Sequence, residues 1–261
     1  MTIEAFGHTD IGKKRELNED NYLFFHTALN IPDIPKQFCL LAVADGIGGH
    51  AGGDIASTTA VNTLKENILH QLKLSSSSFQ PKEVLEEVFQ LANQTVFQKA
   101  IQNPDFIGMG TTLVAVLVIG NRATISNVGD SRAYLIRNES LSQITHDHSW
   151  KAEQLKAKKI SEKDILKSPF KNMITRSLGF ESDAKIDTFE IDLSDGDYLL
   201  LCTDGLYSFV SEYQILRIFR RLKKPEKICR KLIKLANKHG GHDNITGIVA
   251  YYSGRQVETN Y

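Results

Sequence analysis

Cysteine is scarce in this chain: Cys39, Cys202 and Cys229 are the only three in 261 residues, far apart and without CxxC spacing. Neither a disulfide framework nor a CxxC metal or redox motif follows from that pattern. Two of the three lie in apolar strand-like runs, where a thiol is a small buried hydrophobe, and a reducing cytoplasm is the expected setting. No apolar run approaches the roughly 18 residues of a membrane span; the longest, Thr111–Gly120, suits a strand. The opening MTIEAFGHTD lacks the basic and apolar regions of a secretory signal, so none is expected. Net charge is also missing. With 31 Lys+Arg against 31 Asp+Glu the sum is zero, which argues against a broadly basic nucleic-acid or membrane-surface binder. There is no solenoid-length repeat, no low-complexity tract and no G-x-x-x-x-G-K-[ST] phosphate loop.

What is present is an ordinary globular composition, 41% hydrophobic and 24% charged, enough for one large domain or two small ones. Strand patterns open the chain at Ile3–Thr9, Tyr22–Thr27 and Phe38–Ala44. Two helices follow. In Gly53–Leu72, Ala56, Ala60, Leu64, Ile68 and Leu72 recur every fourth residue; in Pro81–Ile101, Leu85, Val88, Phe89, Ala92 and Val96 form one stripe. The polar loop Ser75–Ser78 between them is too short for a domain linker. Thr111–Gly120, Arg122–Val128, Arg132–Arg137 and Leu141–Thr145 read as a meander of four antiparallel strands, because turns such as Gly120-Asn121 and Asn138-Glu139 leave no room for crossovers. His148–Ser182 is polar and weakly patterned, and reads as a flap. A strand at Asp197–Thr203, a helix opened by a Ser211/Gln214 capping box and running through Leu222, a helix from Pro225 to about Lys238, and a strand at Asn244–Tyr252 complete the chain. Segregated antiparallel strands and paired helices predict an α+β layered sandwich.

Aspartates stand where apolar strands emerge. LLAVADG ends on Asp45-Gly46 and YLLLCTDG on Asp204-Gly205; Asp130 lies between two strands in ISNVGDS, and Asp243 precedes the last strand in HDNITGIVAYY. A single Asp-Gly is usually a turn, but four at strand ends suggest one site. Two carboxylates about 4 Å apart repel by about 4 kcal/mol at an effective dielectric of 20, so a cluster needs protons or cations. Carboxylates without His or Cys partners suit Mg²⁺ or Mn²⁺ better than zinc, and paired ions of that kind hydrolyse phosphate esters. Near the N-terminus, TDIGKKRELNED places Arg15, Glu19 and Asp20 ahead of a strand, which reads either as a surface charge cluster or as an Arg15 fork on a phosphate with acids near the metals. Gly46, Gly48 and Ala51 also satisfy a loose dinucleotide fingerprint, but a second helix follows where that motif needs a parallel strand.

Together the segments TDIGKKRELNEDN, VADGIGGHAGGDIAS, GMGTTLV, NVGDSRAYL, ITHDHS, MITRSLG, LLLCTDGL and DNIT, in order from Thr9 to Thr246, resemble the metal-dependent protein serine/threonine phosphatases of type 2C, in their bacterial style. The resemblance implies a four-layer αββα sandwich, two stacked antiparallel sheets flanked by helix pairs, with a small flap. It implies one catalytic domain over 1–253, a flap at about 146–182 and a short tail at 254–261. Two Mn²⁺ or Mg²⁺ ions are implied: Asp45 bridges them, the Gly46 carbonyl joins one, and Asp204 and Asp243 hold the other. Asp20, and with it Glu19, would orient metal-bound waters, and Asp130 with Asp204 would match a third, weaker metal site. Arg15 would grip the phosphate. The implied chemistry is direct attack of a metal-bridging water on phosphoserine or phosphothreonine, without a cysteine nucleophile.

Some positions depart from the family's pattern. Ile47 stands where some eukaryotic members have a histidine proposed as general acid, and no residue is assigned that role; His50 nearby reads equally well as structural. Asp54 replaces a common glutamate, and the His146/His148 pair falls in the flap-base segment rather than reading as a metal site. Trp150 and its flap neighbours are expected to affect substrate choice. The last two helices crowd ten Lys and Arg residues, from Arg217 to Lys238: a solvated face, or a docking surface for an acidic or phosphorylated partner. The expected function is a monomeric cytoplasmic phosphatase acting on protein targets of a Ser/Thr kinase. The alternatives are a catalytically weak or inactive type 2C-like binding module, disfavoured because all five aspartates are retained, and a phosphatase of small phosphate esters.

Overall fold

The computed structural model describes residues 2–28, 37–48, 52–74, 79–157 and 160–254. His50, Ala51, the 75–78 loop and nearly all of the tail lie outside them.

Two antiparallel sheets are stacked face to face. One joins, in spatial order, β1 (Thr2–Asp10), β11 (Ile245–Ser253), β10 (Tyr198–Cys202), β7 (Arg132–Arg137) and β8 (Ser140–Gln143). The other joins β2 (Asp20–Ala28), β3 (Gln37–Ile47), β5 (Leu113–Ile119), β6 (Arg122–Val128) and β9 (Asp187–Asp192), with β4 (Gly110–Thr111) on the end of β3. Strand periodicity makes three cores of this. On β3, Cys39, Leu41 and Val43 point inward and meet Leu199, Leu201 and Ile248 of the opposite sheet. The alternate residues Leu40, Ala42 and Ala44 face Ala60, Leu64 and Ile68 of α1 (Gly53–Leu74) and Leu85 and Phe89 of α2 (Pro81–Gln102). β3 is therefore apolar on both faces, which is why LLAVA reads as an unbroken hydrophobic run. On the far side α6 (Glu212–Arg221) and α7 (Pro225–Lys238) cover the first sheet through Ile215, Phe219, Ile228, Leu232 and Ile233. Each such buried side chain contributes about 1.5–3 kcal/mol. The layers are α, β, β, α, as expected.

The expected turns form. Gly120 at φ 63°, and Asn138 and Glu139 at 49° and 59°, supply the positive φ values of two-residue hairpins, and Ser211 with Gln214 makes its capping box. The single four-strand meander does not. β5–β6 and β7–β8 are hairpins of different sheets, and Gly129–Ser131 carries the chain between them. Gly129 turns there at φ 108°, with a side chain excluded by Thr112. The expected strand from Thr111 is also split. Thr112 leaves the ladder to donate its N–H to the Asp45 carbonyl (2.9 Å) and to share a hydrogen bond with Ser131 (2.7 Å). β9, which has no counterpart in the sequence reading, is an edge strand. Within the polar segment stand α3 (Trp150–Ala157) and α4 (Glu162–Lys167), tied to the core at Ser149↔Ile174 and Thr111↔Leu178.

Candidate metal centre

The site forms where both sheets end. Asp20 and Asp45 are directly opposite in the β2–β3 register. Asp45 is held by its own backbone: its N–H donates to Thr112 Oγ1 (2.9 Å), and its carbonyl accepts from Thr111 Oγ1 (2.9 Å) as well as from the Thr112 amide. Asp204 opens a short helix, α5 (Asp204–Tyr207), directly after β10. Asp243 ends the loop before β11, and Asp130 sits in the turn that crosses between the sheets. Gly46 and Gly205 allow close approach: a Cβ on Gly46 would strike the Gly53 carbonyl, and one on Gly205 the Asn244 carbonyl.

Asp20, Asp45, Asp130 and Asp204 resist ionising there. Burial raises the Asp45 carboxyl well above the ordinary range, reinforced by the charges of Asp20, Asp204, Asp130 and Asp243. Burial also pushes Asp20 and Asp130 up to about 7 and Asp204 to about 6, with the neighbouring aspartates adding to each. Asp204 lies within hydrogen-bonding reach of Asp45, a contact two carboxylates make only by sharing a proton or a cation. Asp20 Oδ1 and Asp204 Oδ1 are buried without a hydrogen-bond partner, which is costly unless something cationic meets them. No three His, Cys, Asp or Glu among the described residues are closed around a single point. The donor set is all oxygen, with orphaned buried atoms, and fits hard divalent ions.

The surrounding hydroxyls and amides have no counterpart in the sequence reading. Thr203 Oγ1 donates to Asp20 Oδ2 (2.8 Å) and accepts from the Thr246 amide (3.1 Å). Asn244, 4% exposed, accepts from the Glu19 N–H (2.9 Å) and donates to the carbonyls of Ile11 (3.0 Å) and Leu17 (2.9 Å), so it fixes the loop that carries Arg15. Behind Asp130, Arg132 pairs bidentately with Asp147 (2.8 and 2.6 Å) and lies 3.6 Å over the Tyr207 ring, whose hydroxyl donates to the Asp130 carbonyl (3.0 Å). Buried polar residues inside apolar runs, such as Thr111-Thr112 before LVAVLV, are the signal that could have revealed them.

Arg15 is at the site but on a carboxylate: its guanidinium forks Asp243 at 2.8 and 2.9 Å, and its side chain is 48% exposed. The Asp243 hydrogen bond holds the Arg15 pKa above its usual value. Glu19 accepts from the Gly53 N–H at the start of α1, and burial raises its pKa, so it caps that helix. His146 and His148 do not converge. His146 packs edge-on against Phe189 at 5.5 Å, whereas the His148 ring accepts from the Gly129 N–H at Nδ1 (3.1 Å) and meets Asp187 at Nε2 (3.2 Å).

The protein phosphatase 2C family profile matches residues 10–245. The chain is 38% identical over 247 residues to the serine/threonine phosphatase stp of Listeria monocytogenes, covering 94% of each protein. Its fold matches the serine/threonine phosphatase Stp1 of Staphylococcus aureus with a TM-score of 0.85 and 31% identity, over 97% of this chain and 96% of that one. It also matches the catalytic domain of the serine/threonine protein phosphatase PstP, solved with two manganese ions, at a TM-score of 0.81 and 29% identity, over 96% and 98% of the two chains. With a matching profile over nearly its whole length and a cluster of carboxylates where its two sheets end, the chain belongs to the protein phosphatase 2C family and is a metal-dependent protein serine/threonine phosphatase.

Proposed function

We propose that Asp45, the Gly46 carbonyl, Asp204 and Asp243 hold two Mn²⁺ or Mg²⁺ ions, that Asp130 with Asp204 offers a third, weaker site, and that Arg15 binds the substrate phosphate. In this reading residues 1–253 are one catalytic domain with a flap at 146–182. The protein works as a cytoplasmic monomer on targets of a Ser/Thr kinase. The observation that carries the assignment is that buried Asp20 and half-buried Asp45, Asp130 and Asp204 all have raised pKa values through desolvation and one another's charges, with two orphaned carboxylate oxygens.

Divalent ions there would neutralise phosphate charge and lower the pKa of the attacking water toward 7. The chain's own residues do the rest. Asp20, held by Thr203, accepts a hydrogen bond from water and sets its orientation. Arg15, half exposed, is free to turn to the equatorial phosphate oxygens once a cation takes over the charge of Asp243. Water oxygen bonds to phosphorus as the serine or threonine oxygen departs with a proton, leaving phosphate and the free hydroxyl. A groove of about 650 Å³ runs from Ile47, two residues past Asp45, beneath Asn172–Lys185. It gives the residues flanking a phosphoserine a place to lie, and favours protein substrates over small esters.

The test is Mn²⁺-dependent hydrolysis of p-nitrophenyl phosphate. Chelation is expected to abolish it, and N-ethylmaleimide to leave it unchanged. Cys39, Cys202 and Cys229 are no more than 1% exposed, with thiols pushed by burial up to about 12. Loss of activity on thiol blocking, or its survival after exhaustive chelation, would remove the metal-water reading.

Asn244→Ala should free the Arg15 loop. Three backbone groups lose their partner, for a loss of about 2–3 kcal/mol, and KM for the aryl phosphate is expected to rise about tenfold with a smaller fall in kcat. An unchanged KM in a folded variant would show that the loop is held by other contacts.

A further inference from the structure

We propose that the groove between α6 and α7 is a docking site for an acidic amphipathic helix of a partner protein. The groove lies on the outer helical layer, away from the carboxylates. Its volume is about 280 Å³, below the range of about 300–1,000 Å³ for small-molecule sites and suited instead to one or two anchoring side chains. The floor is apolar, built by Ile218, Leu222 and Leu235; the rim is cationic, built by Arg217, Arg221 and Lys231. Those three cations have no ion-pair partner among the described residues. Their neighbours are already matched: Arg220 with Glu139 at 3.2 Å, and Arg230 with Glu226 at 3.0 Å.

The shape selects a helix. The walls are helices of 10 and 14 residues, about 15 and 21 Å long at 1.5 Å per residue. Between such walls an amphipathic helix seats two side chains one turn apart, at i and i+3 or i+4. On α6, Tyr213, Arg217 and Arg221 stand four residues apart on one row, with Tyr213 72% exposed at the end of it. That row presents an aromatic ring and two free guanidinium groups along one edge. Apolar anchors with Glu or Asp beside them complement both floor and rim, whereas a neutral or basic segment would leave Arg217, Arg221 and Lys231 unmatched.

The probe is a fluorescein-labelled three-heptad peptide with leucine on one face and glutamate elsewhere, titrated with the metal-loaded protein by fluorescence anisotropy. The unmodified protein should bind it, more weakly as salt rises. A control of equal charge with serine in place of leucine should bind at least about tenfold more weakly. The triple variant Arg217→Glu, Arg221→Glu, Lys231→Glu should lose at least about tenfold in affinity while p-nitrophenyl phosphate hydrolysis stays unchanged. Lys65→Glu with Lys73→Glu and Lys82→Glu, three charge reversals on α1 and α2 in the opposite helical layer, should keep peptide affinity within about twofold. Equal binding of the leucine and serine peptides, or an equal loss in the Lys65/Lys73/Lys82 variant, would reduce the effect to bulk charge and overturn the site. So would binding only to phosphatidylglycerol vesicles and not to the peptide. Because the readout is binding, a failed metal assignment would leave this result untouched.

Discussion

Replacing Asp45 by asparagine is expected to lower kcat on p-nitrophenyl phosphate in Mn²⁺ by about a thousandfold, equivalent to about 4 kcal/mol, while making the metal-free protein more heat-stable. The two effects have one cause. Asp45 feels the charges of Asp20, Asp204, Asp130 and Asp243 together, so it is the carboxylate whose removal most weakens cation binding and most relieves repulsion. The Asp45 amide and carbonyl are held by Thr111 and Thr112 through backbone atoms, so the amide side chain leaves the strand in place. Each kcal/mol relieved raises Tm by about 2–4 °C in a domain of this size. Differential scanning fluorimetry in chelator, beside a kcat measurement in Mn²⁺, reads both effects. An inactive variant that is also less stable would mean that Asp45 is structural. A stable variant with most of its activity would mean that the centre of the site lies elsewhere.

The residues carrying this prediction are visible in the sequence because strand termini announce themselves. LLAVADG and LLLCTDG each show an apolar strand delivering a carboxylate before a glycine, and in the structure they come from opposite sheets of the sandwich. The helices show equally well, since α1 and α2 bury a continuous face against one sheet. The sheet assignment was not readable. Gly129–Ser131 is as short as a hairpin turn yet passes from one sheet to the other, and no local pattern separates those two paths. β9 was invisible for a different reason: as an edge strand it keeps Asp187, Glu190 and Asp192 toward solvent and charged partners. The roles of Thr203, Asn244 and Arg132 depend on contacts spanning 183, 225 and 15 residues. Such polar partners are set by tertiary packing, not by periodicity. Glu19 adds a contact that its position beside Asp20 did not suggest: its carboxylate accepts from the N-terminus of α1.

The metal-free protein should lose stability as pH rises, against the usual trend for a protein with paired carboxylates. Asp20 and Asp130 are pushed up to about 7 and Asp204 to about 6, each because burial penalises the charged form. A carboxyl whose folded pKa lies above its unfolded value near 4 binds more protons in the native state. The stability it contributes is full below pH 4 and is lost as pH climbs through 6 and 7. The groups titrate together, and the expected net loss is on the order of 2–4 kcal/mol, or roughly 5–15 °C in Tm. Two groups work in the other direction: buried His148, with its pKa lowered by desolvation, and Asp187, lowered by His148 and Arg176 despite its partial burial. Both stabilise the fold above their unfolded pKa values and cease to do so on acidification. They titrate equally with and without metal, so the difference between Mn²⁺ and chelator isolates the aspartate cluster. Mn²⁺ competes with protons for the same oxygens, and its shift in Tm should be near zero at pH 5 and largest at pH 8. A Mn²⁺ shift independent of pH, together with a metal-free Tm that rises from pH 5 to 8, would show that these carboxylates are already ionised in the fold without a cation to hold them there.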